Sequence, residues 1–342
     1  MRRYQRNIVI VMLLTLSGFF VFLVLPAPKR SYVAEEARTY YLQQFLSDYN
    51  PAPRPSNCGA ERDVTAAEQE VVGRMRAARY NGTAISEVYQ PGFDALPRAC
   101  ADSGRGVDLL VVVHSACGHA DLRAAARMTW KAAASLPGVA AVFLLGRTRD
   151  RELSRRAARE AELFGDVVLS RNADTYGGLT LKSVSMAEWV ARHCRRAGFV
   201  LKADDDVFLN VVRLLQLVRL PEVAASTRSF FGRLTRGAKP VRDPSSKFHV
   251  PEAEFPGDTY PDYLQGSSYL YTGDLSQDLY AWAVAQDLFR MEDVFVTGFL
   301  ADVLQARRVD VGRFQADYRT VRSGWKRRRV DPCDLRSRVV VH

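Results

Sequence analysis

The run Val107-Asp108-Leu109-Leu110-Val111-Val112-Val113 carries one polar side chain in seven residues. A half-exposed strand alternates and an amphipathic helix keeps a polar face. This run does neither, so it reads as a strand buried on both faces, the kind found in a parallel sheet under helices. A helical pattern follows from about His119 to Ala134. Val139 to Leu145 is the next apolar strand, ended by Gly146. Arg149 to Leu163 is a charged amphipathic helix, Val167-Val168-Leu169 a short strand, Leu179 to Arg195 a helix and Gly198 to Leu201 another apolar strand. The alternation predicts an α/β fold, a mixed but mostly parallel sheet with helices on both faces. Ligands then belong at the carboxyl ends of the strands. Phe230 to Tyr271 is rich in aromatics, Pro and Gly and reads as hairpins and loops. Two helices are expected after it, Leu275 to Leu288 and Asp293 to Ala306.

The N-terminus has a different character. Asn7 to Leu25 is 19 residues without a charge, close to the roughly 20 needed for a membrane-spanning helix. Arg2, Arg3 and Arg6 precede it and predict a cytosolic tail over residues 1–6. A cleaved signal peptide has an apolar stretch of about 7–15 residues, and Leu25-Pro26-Ala27-Pro28 is a poor cleavage site. The expected layout is therefore a signal-anchor over 7–25, a luminal stem over 26–105 and a catalytic domain over 106–342. Pro51, Pro53 and Pro55 fall in the stem. Asn81-Gly82-Thr83 is a glycosylation sequon, usable in a lumen. The five cysteines include no CxxC pair, which argues against a structural zinc site, and an oxidising lumen allows disulfides. The net charge of +10 is compatible with solvated Arg-rich faces and with an anionic partner, and does not choose between them.

The chemistry concentrates at Lys202-Ala203-Asp204-Asp205-Asp206-Val207-Phe208. The strand Phe199-Val200-Leu201 runs directly into three carboxylates. Three like charges at a strand's carboxyl end call for a compensating cation, and oxygen donors suit Mg²⁺ or Mn²⁺. The spacing fits neither a haloacid dehalogenase signature, which Phe208 breaks, nor an EF-hand, whose Gly and Glu are absent.

This segment resembles the Asp-x-Asp motif of nucleotide-sugar glycosyltransferases with the GT-A fold. Arg123-Ala-Ala-Ala-Arg127-Met-Thr129-Trp130, Phe143-Leu-Leu-Gly146, Asp174-Thr-Tyr176-Gly-Gly-Leu179-Thr180-Leu181-Lys182, Tyr260-Pro261, Gly266-Ser-Ser-Tyr269 and Glu292-Asp293-Val294 are similar, in order, to motifs of the β-1,3-galactosyltransferase family. The ordered match runs from about Leu109 to His342. Gly177-Gly178, Leu264, Phe299 and Thr297-Gly298 depart from the family pattern. The pair Leu264 and Phe299 stands where many members carry Cys, which suggests an apolar contact in place of a disulfide.

The resemblance implies a Golgi type II membrane enzyme that transfers galactose from UDP-galactose in β-1,3 linkage to a glycan on a glycoprotein, proteoglycan or glycolipid. It implies no nucleic-acid partner. Asp293 is the implied general base. Arg123, Arg127, Asp174, Lys182, Asp204 and Asp205 are implied on the UDP-sugar side, and Asp206 and His342 as ligands of Mn²⁺ or another divalent cation. Glu292 and Tyr269 are expected on the acceptor side, Glu292 with an orienting role as well. Family members also carry Cys at the points of Cys194 and Cys333, which implies a disulfide there; Cys58 with Cys100 is a weaker pairing that leaves Cys117 free. UDP-N-acetylglucosamine and UDP-N-acetylgalactosamine remain open as donors. A non-catalytic chaperone or lectin on the same fold and a metal-dependent phosphohydrolase are the readings from other classes.

Overall fold

The computed structural model describes residues 8–14, 20–26, 83–312, 314 and 340–341. The chain divides into two units, Met1–Pro55 and Ser56–His342. In the first, β1 (Ile8–Leu14) and β2 (Phe20–Pro26) pair antiparallel, with Ile8 opposite Pro26. The continuous helix expected over 7–25 is not shown, and no helix among the described residues is long and apolar enough to cross a membrane. Val, Ile and Phe favour strands as strongly as they favour apolar surroundings, so composition alone does not separate the two conformations.

In the second unit an eight-stranded sheet has the order β13-β9-β12-β7-β4-β5-β6-β3. Its strands are β3 (Phe93–Ala95), β4 (Leu109–His114), β5 (Val139–Arg147), β6 (Val167–Ala173), β7 (Phe199–Asp204), β9 (Ser229–Gly232), β12 (Ser268–Thr272) and β13 (Arg307–Asp310). Short strands β8 (Phe208–Leu209), β10 (Leu234–Thr235), β11 (Tyr263–Leu264) and β14 (Val340–Val341) lie outside it. Strands β4, β5, β6 and β7 are mutually parallel, β12 runs against both β7 and β9, and β3 runs against β6. The sheet is mixed, as the pattern predicts. Every residue of β4 is buried, so its unbroken apolar run has a direct cause.

The longer helices among the described residues are α1 (Ala120–Met128), α2 (Arg151–Phe164), α3 (Leu179–His193), α4 (Val211–Arg219) and α5 (Ser276–Val284). Asp150 caps α2 by accepting from the backbone N–H of Glu152 and Leu153, satisfying donors that the first turn leaves open. Leu110, Val112 and Val200 join Val184, Trp189 and Val190 of α3 in the main core, with Leu279 of α5 and Phe295. Residues 294–300, read as ordinary helix, form π-helical turns instead, followed by one short turn over Ala301–Val303. Leu264 and Phe299 are both buried in that core, and Phe299 packs against Phe255 and Phe289.

Two expectations change. The folded unit begins before residue 106: Ile85 is buried, its N–H donates to Gln286 O, and β3 adds an edge strand, so residues 83–105 are not all stem. The disulfide joins Cys194 to Cys100, with Cα atoms 5.3 Å apart, rather than to Cys333. Cys194 caps the end of α3, where Arg196 N–H donates to Ser103 O and draws residues 100–104 against the helix end. That close approach lies 94 residues away in sequence and had no motif to mark it. Cys117 is buried and free. Cys58, Asn81, Cys333 and His342 lie outside the described residues.

Candidate active site

Strand β7 delivers Lys202, Ala203 and Asp204 to the carboxyl edge of the sheet, with Asp204 in register with His114 of β4. From β4 the chain moves through β5 and β6 to one side and then returns to place β7 on the other. Such a reversal opens a crevice at the strand ends, and the turn Asp204-Asp205-Asp206 sits there. Asp204 Oδ1 accepts from Lys202 Nζ at 2.6 Å. Asp205 Oδ2 lies 2.9 Å from Nδ1 of His119, which precedes α1 and is 52% exposed at its side chain. This contact bridges the strand ends of β4 and β7. A lone His before a helix is a common pattern, and nothing in the sequence singled it out.

Burial raises the Asp204 carboxyl above its ordinary range, with Glu292 and Asp206 adding to the rise against the pull of Lys202. The half-buried Asp204 and Asp205 and the exposed Asp206 on one turn are a donor set that fits a hard divalent cation, Asp206 being the expected ligand. Among the described residues no three His, Cys, Asp or Glu side chains gather into a complete metal cage. Strand β14 pairs with β8, Val341 opposite Phe208, and so brings the chain beside the segment that follows Asp206.

The Glu292-Asp293 pair starts the π-helical segment. Asp293 Oδ2 accepts from Gly266 N–H at 3.1 Å and Oδ1 from Val294 N–H at 3.0 Å. A Cβ on Gly266 would stand 3.1 Å from both Cβ and Oδ2 of Asp293, so a side chain there would press the carboxylate aside by a few tenths of an ångström. Burial, with the Glu292 charge, pushes the Asp293 carboxyl up to about 6. A carboxylate tuned towards neutrality is suited to taking a proton. Thr297, a departure from the family pattern, donates to Asp293 O and accepts from Leu264 N–H, fastening this segment to β11.

Glu292 is turned inward, 6% exposed, and accepts from Ser183 Oγ at 2.5 Å and Tyr269 OH at 2.7 Å. Tyr269 is fully buried. Neither is presented to an acceptor, which corrects that expectation: their hydrogen bonds to each other and to α3 hold Asp293 in place. Lys202 joins the same cluster. Its Nζ donates to Asp204 and to Gly266 O at 2.5 Å, and lies 3.7 Å from Glu292.

The donor-side residues divide. Lys182 Nζ donates to Asp174 Oδ1 at 2.5 Å and to Ser115 O at 2.9 Å, while Gly146 N–H donates to Asp174 at 3.4 Å. The loop after β4, the end of β5 and the loop after β6 are thereby held together at the crevice. At Gly146 a Cβ would meet Asn172 O at 2.7 Å, which accounts for glycine there. Arg123 and Arg127 are corrected. Arg123, 0% exposed, donates twice to Glu160 and also to Ser115 Oγ and Ala116 O. Arg127 donates to Asp166 through two nitrogens and to Glu160 through a third, and its guanidinium lies 3.9 Å from the Phe164 ring centroid. Both guanidinium groups are committed to internal carboxylates, and Arg123 shapes the loop after β4 instead of reaching a nucleotide. His114 is buried between Lys182 and Lys202; desolvation and those two charges hold it neutral, and neither ring nitrogen has a hydrogen-bond partner among the described residues.

The Galactosyltransferase family model matches residues 121–312. Beta-1,3-galactosyltransferase 1 of Mus musculus is 31% identical over 190 residues, 55% of this chain and 58% of that protein. Beta-1,3-galactosyltransferase 5 of Pan troglodytes is 35% identical over 190 residues, 55% of this chain and 63% of that one. The acetylgalactosaminyl-O-glycosyl-glycoprotein beta-1,3-N-acetylglucosaminyltransferase of Homo sapiens is 36% identical over 259 residues, 72% of this chain and 65% of that one. The match thus spans less than two thirds of each relative. With its family model covering more than half of its length, the chain belongs to the galactosyltransferase family.

Proposed function

We propose that the chain is an inverting, metal-dependent β-1,3-glycosyltransferase that moves galactose from UDP-galactose to a carbohydrate hydroxyl. The observation that carries this reading is the placement of Asp293, a carboxylate pushed up to about 6, one glycine and one lysine away from the acidic turn. In the proposed reaction Asp293 takes the acceptor hydroxyl proton as the oxygen attacks the anomeric carbon, and UDP leaves from the opposite face. One in-line displacement with one base inverts the α-linked donor to a β-linked product. Asp206, with His342 as a further ligand, would hold a divalent cation, which would neutralise the diphosphate charge that grows on departure. Asp204, Asp205, Asp174 and Lys182 line the nucleotide-sugar side. The GT-A architecture, a signal-anchor over 7–25 and a Golgi location with a luminal domain belong to the same proposal.

A donor screen tests it: UDP release measured with UDP-galactose, UDP-N-acetylglucosamine and UDP-N-acetylgalactosamine, with Mn²⁺ and a panel of glycan acceptors. Acceptor-dependent release from one donor supports the reading, and none from any donor removes it. UDP-N-acetylglucosamine is the second candidate, because the relative named as an N-acetylglucosaminyltransferase matches the larger share of this chain.

A further inference from the structure

Lys202 lies between the two halves of the site. It is buried near the carboxyl end of β7, two residues before Asp204 and in register with Tyr269 of β12. Its Nζ reaches Asp204 Oδ1 at 2.6 Å, Gly266 O at 2.5 Å and Glu292 Oε2 at 3.7 Å. An ammonium has three N–H donors and no acceptor, and here it faces one carboxylate of the acidic turn, one backbone carbonyl of the loop before β12 and one carboxylate beside the base. Gly266 is gripped on both sides. Its carbonyl accepts from Lys202, and its N–H donates to Asp293 Oδ2. A buried cation in this position is held charged by the surrounding carboxylates, Asp204 first and then Glu292, with Asp293 adding, against its own desolvation.

From this geometry we infer that Lys202 is a positioning residue that fixes the base Asp293 relative to the donor-side carboxylate Asp204, through the peptide of Gly266. The inference rests on the glycosyltransferase reading and deepens it. Lys202 touches no acceptor in this role. It sets where Asp293 stands, and its charge offsets the Glu292 charge that Asp293 feels. The groups facing Asp293 are Glu292 on its own segment, Lys202 from β7, Tyr263 from β11 and Tyr260 from the loop before it; Lys202 is the one cation among them. Its loss leaves Asp293 beside uncompensated negative charge.

The test uses the full chain with Mn²⁺ and the donor that the wild type turns over. Lys202→Met keeps length and removes the charge; Lys202→Arg keeps the charge. Three quantities are read: the Kd of UDP with Mn²⁺ by calorimetry, the acid limb of kcat/KM against pH, and the melting temperature. The expected result for K202M is a kcat at least about 100-fold lower, within the range that a misplaced base costs, and an acid limb moved to higher pH by about one pH unit. The UDP Kd stays within about 3-fold, a change of less than 0.7 kcal/mol. K202R recovers at least about 10-fold of the lost kcat and returns the limb. An acid limb that stays in place, or a UDP Kd that weakens in step with kcat, overturns the inference: the first makes Lys202 structural only, the second makes it a donor contact. If K202M does not fold, Gly266→Ala carries the test, because the added Cβ presses on Asp293 at the peptide that Lys202 holds. At least about 10-fold lower kcat with unchanged UDP affinity supports the inference, and unchanged kcat overturns it. Wild-type turnover is the control, since its absence sinks the glycosyltransferase reading itself.

Discussion

Glu292 and Asp293 are adjacent in sequence, yet Glu292 turns into the core to accept from Ser183 and Tyr269, while Asp293 lies between the N–H of Gly266 and that of Val294. The two carboxyl groups therefore do different work. Glu292 is spent on hydrogen bonds that hold the start of the π-helical segment. Asp293 keeps a position at the crevice and a carboxyl poised near neutrality.

The pH dependence follows from that poise. A proposed base must be ionised to act, so kcat/KM should rise with pH through a midpoint of about 6, above the ordinary carboxylate range near 4. Asp293→Asn should reduce kcat by at least about 100-fold while the Kd of UDP with Mn²⁺, read by calorimetry, stays near the wild-type value. A midpoint near 4 would show that burial does not raise the Asp293 carboxyl, and a midpoint that survives in D293N would show that Asp293 is not the titrating group.

The same shift has a sign for stability. A carboxyl raised on folding stabilises the folded state below its unfolded value, and that contribution is lost as pH rises through about 6. At pH 7.5 the ionised Asp293 is therefore a cost. D293N should leave the melting temperature at pH 7.5 equal or higher, while at pH 4.5 the difference narrows or reverses. A strongly lowered melting temperature at pH 7.5 would make Asp293 a structural residue.

The parallel strands were legible in the sequence because burial on both faces leaves no polar residue to interrupt the run. The acidic turn was legible because three consecutive carboxylates are unfavourable without a reason. What the sequence hid is pairing at long range. Arg123 and Arg127 fall four apart on one helix, a spacing that suits an anion as well as it suits internal carboxylates. Only the fold shows Glu160 and Asp166 arriving from α2 and the turn after it. Lys202 stands at the head of the acidic segment with no role to mark it, and its three partners come from separate segments. The edge strand Phe93–Ala95 is three residues long and carries no periodicity to detect.

The arginine cluster separates structure from nucleotide binding. Arg123 is fully buried against Glu160, and removing one partner of a buried pair typically costs about 3–5 kcal/mol because the other charge is left uncompensated. Arg123→Met and Glu160→Gln should each lower the unfolding free energy by this order. The double variant should be less destabilised than the sum of the two. UDP affinity of R123M, measured below its melting transition, should change little. A large loss of UDP affinity without a loss of stability would return Arg123 to the nucleotide side.

The Cys100–Cys194 bond gives the last prediction. Cys194 closes α3, whose amino-terminal turns carry Lys182 and Ser183 into the site. The bond ties that helix to the segment 100–104 across 94 residues of chain. In the chain-entropy account, a cross-link closing a loop of about 100 residues restricts the unfolded chain by roughly 4–5 kcal/mol, with measured losses of about 2–5 kcal/mol when such bonds are removed. The double replacement Cys100→Ala and Cys194→Ala should therefore lower the unfolding free energy by about 2–5 kcal/mol. The acid limb of the pH profile should stay in place at temperatures where the variant is folded, because neither sulfur approaches Asp293 or the acidic turn. Peptide mapping without reduction should recover Cys100 and Cys194 in one linked pair of peptides. Recovery of Cys194 linked to Cys333 would reverse the assignment, and would mean that the chain's last segment, with His342, is fastened to α3 instead of residues 100–104.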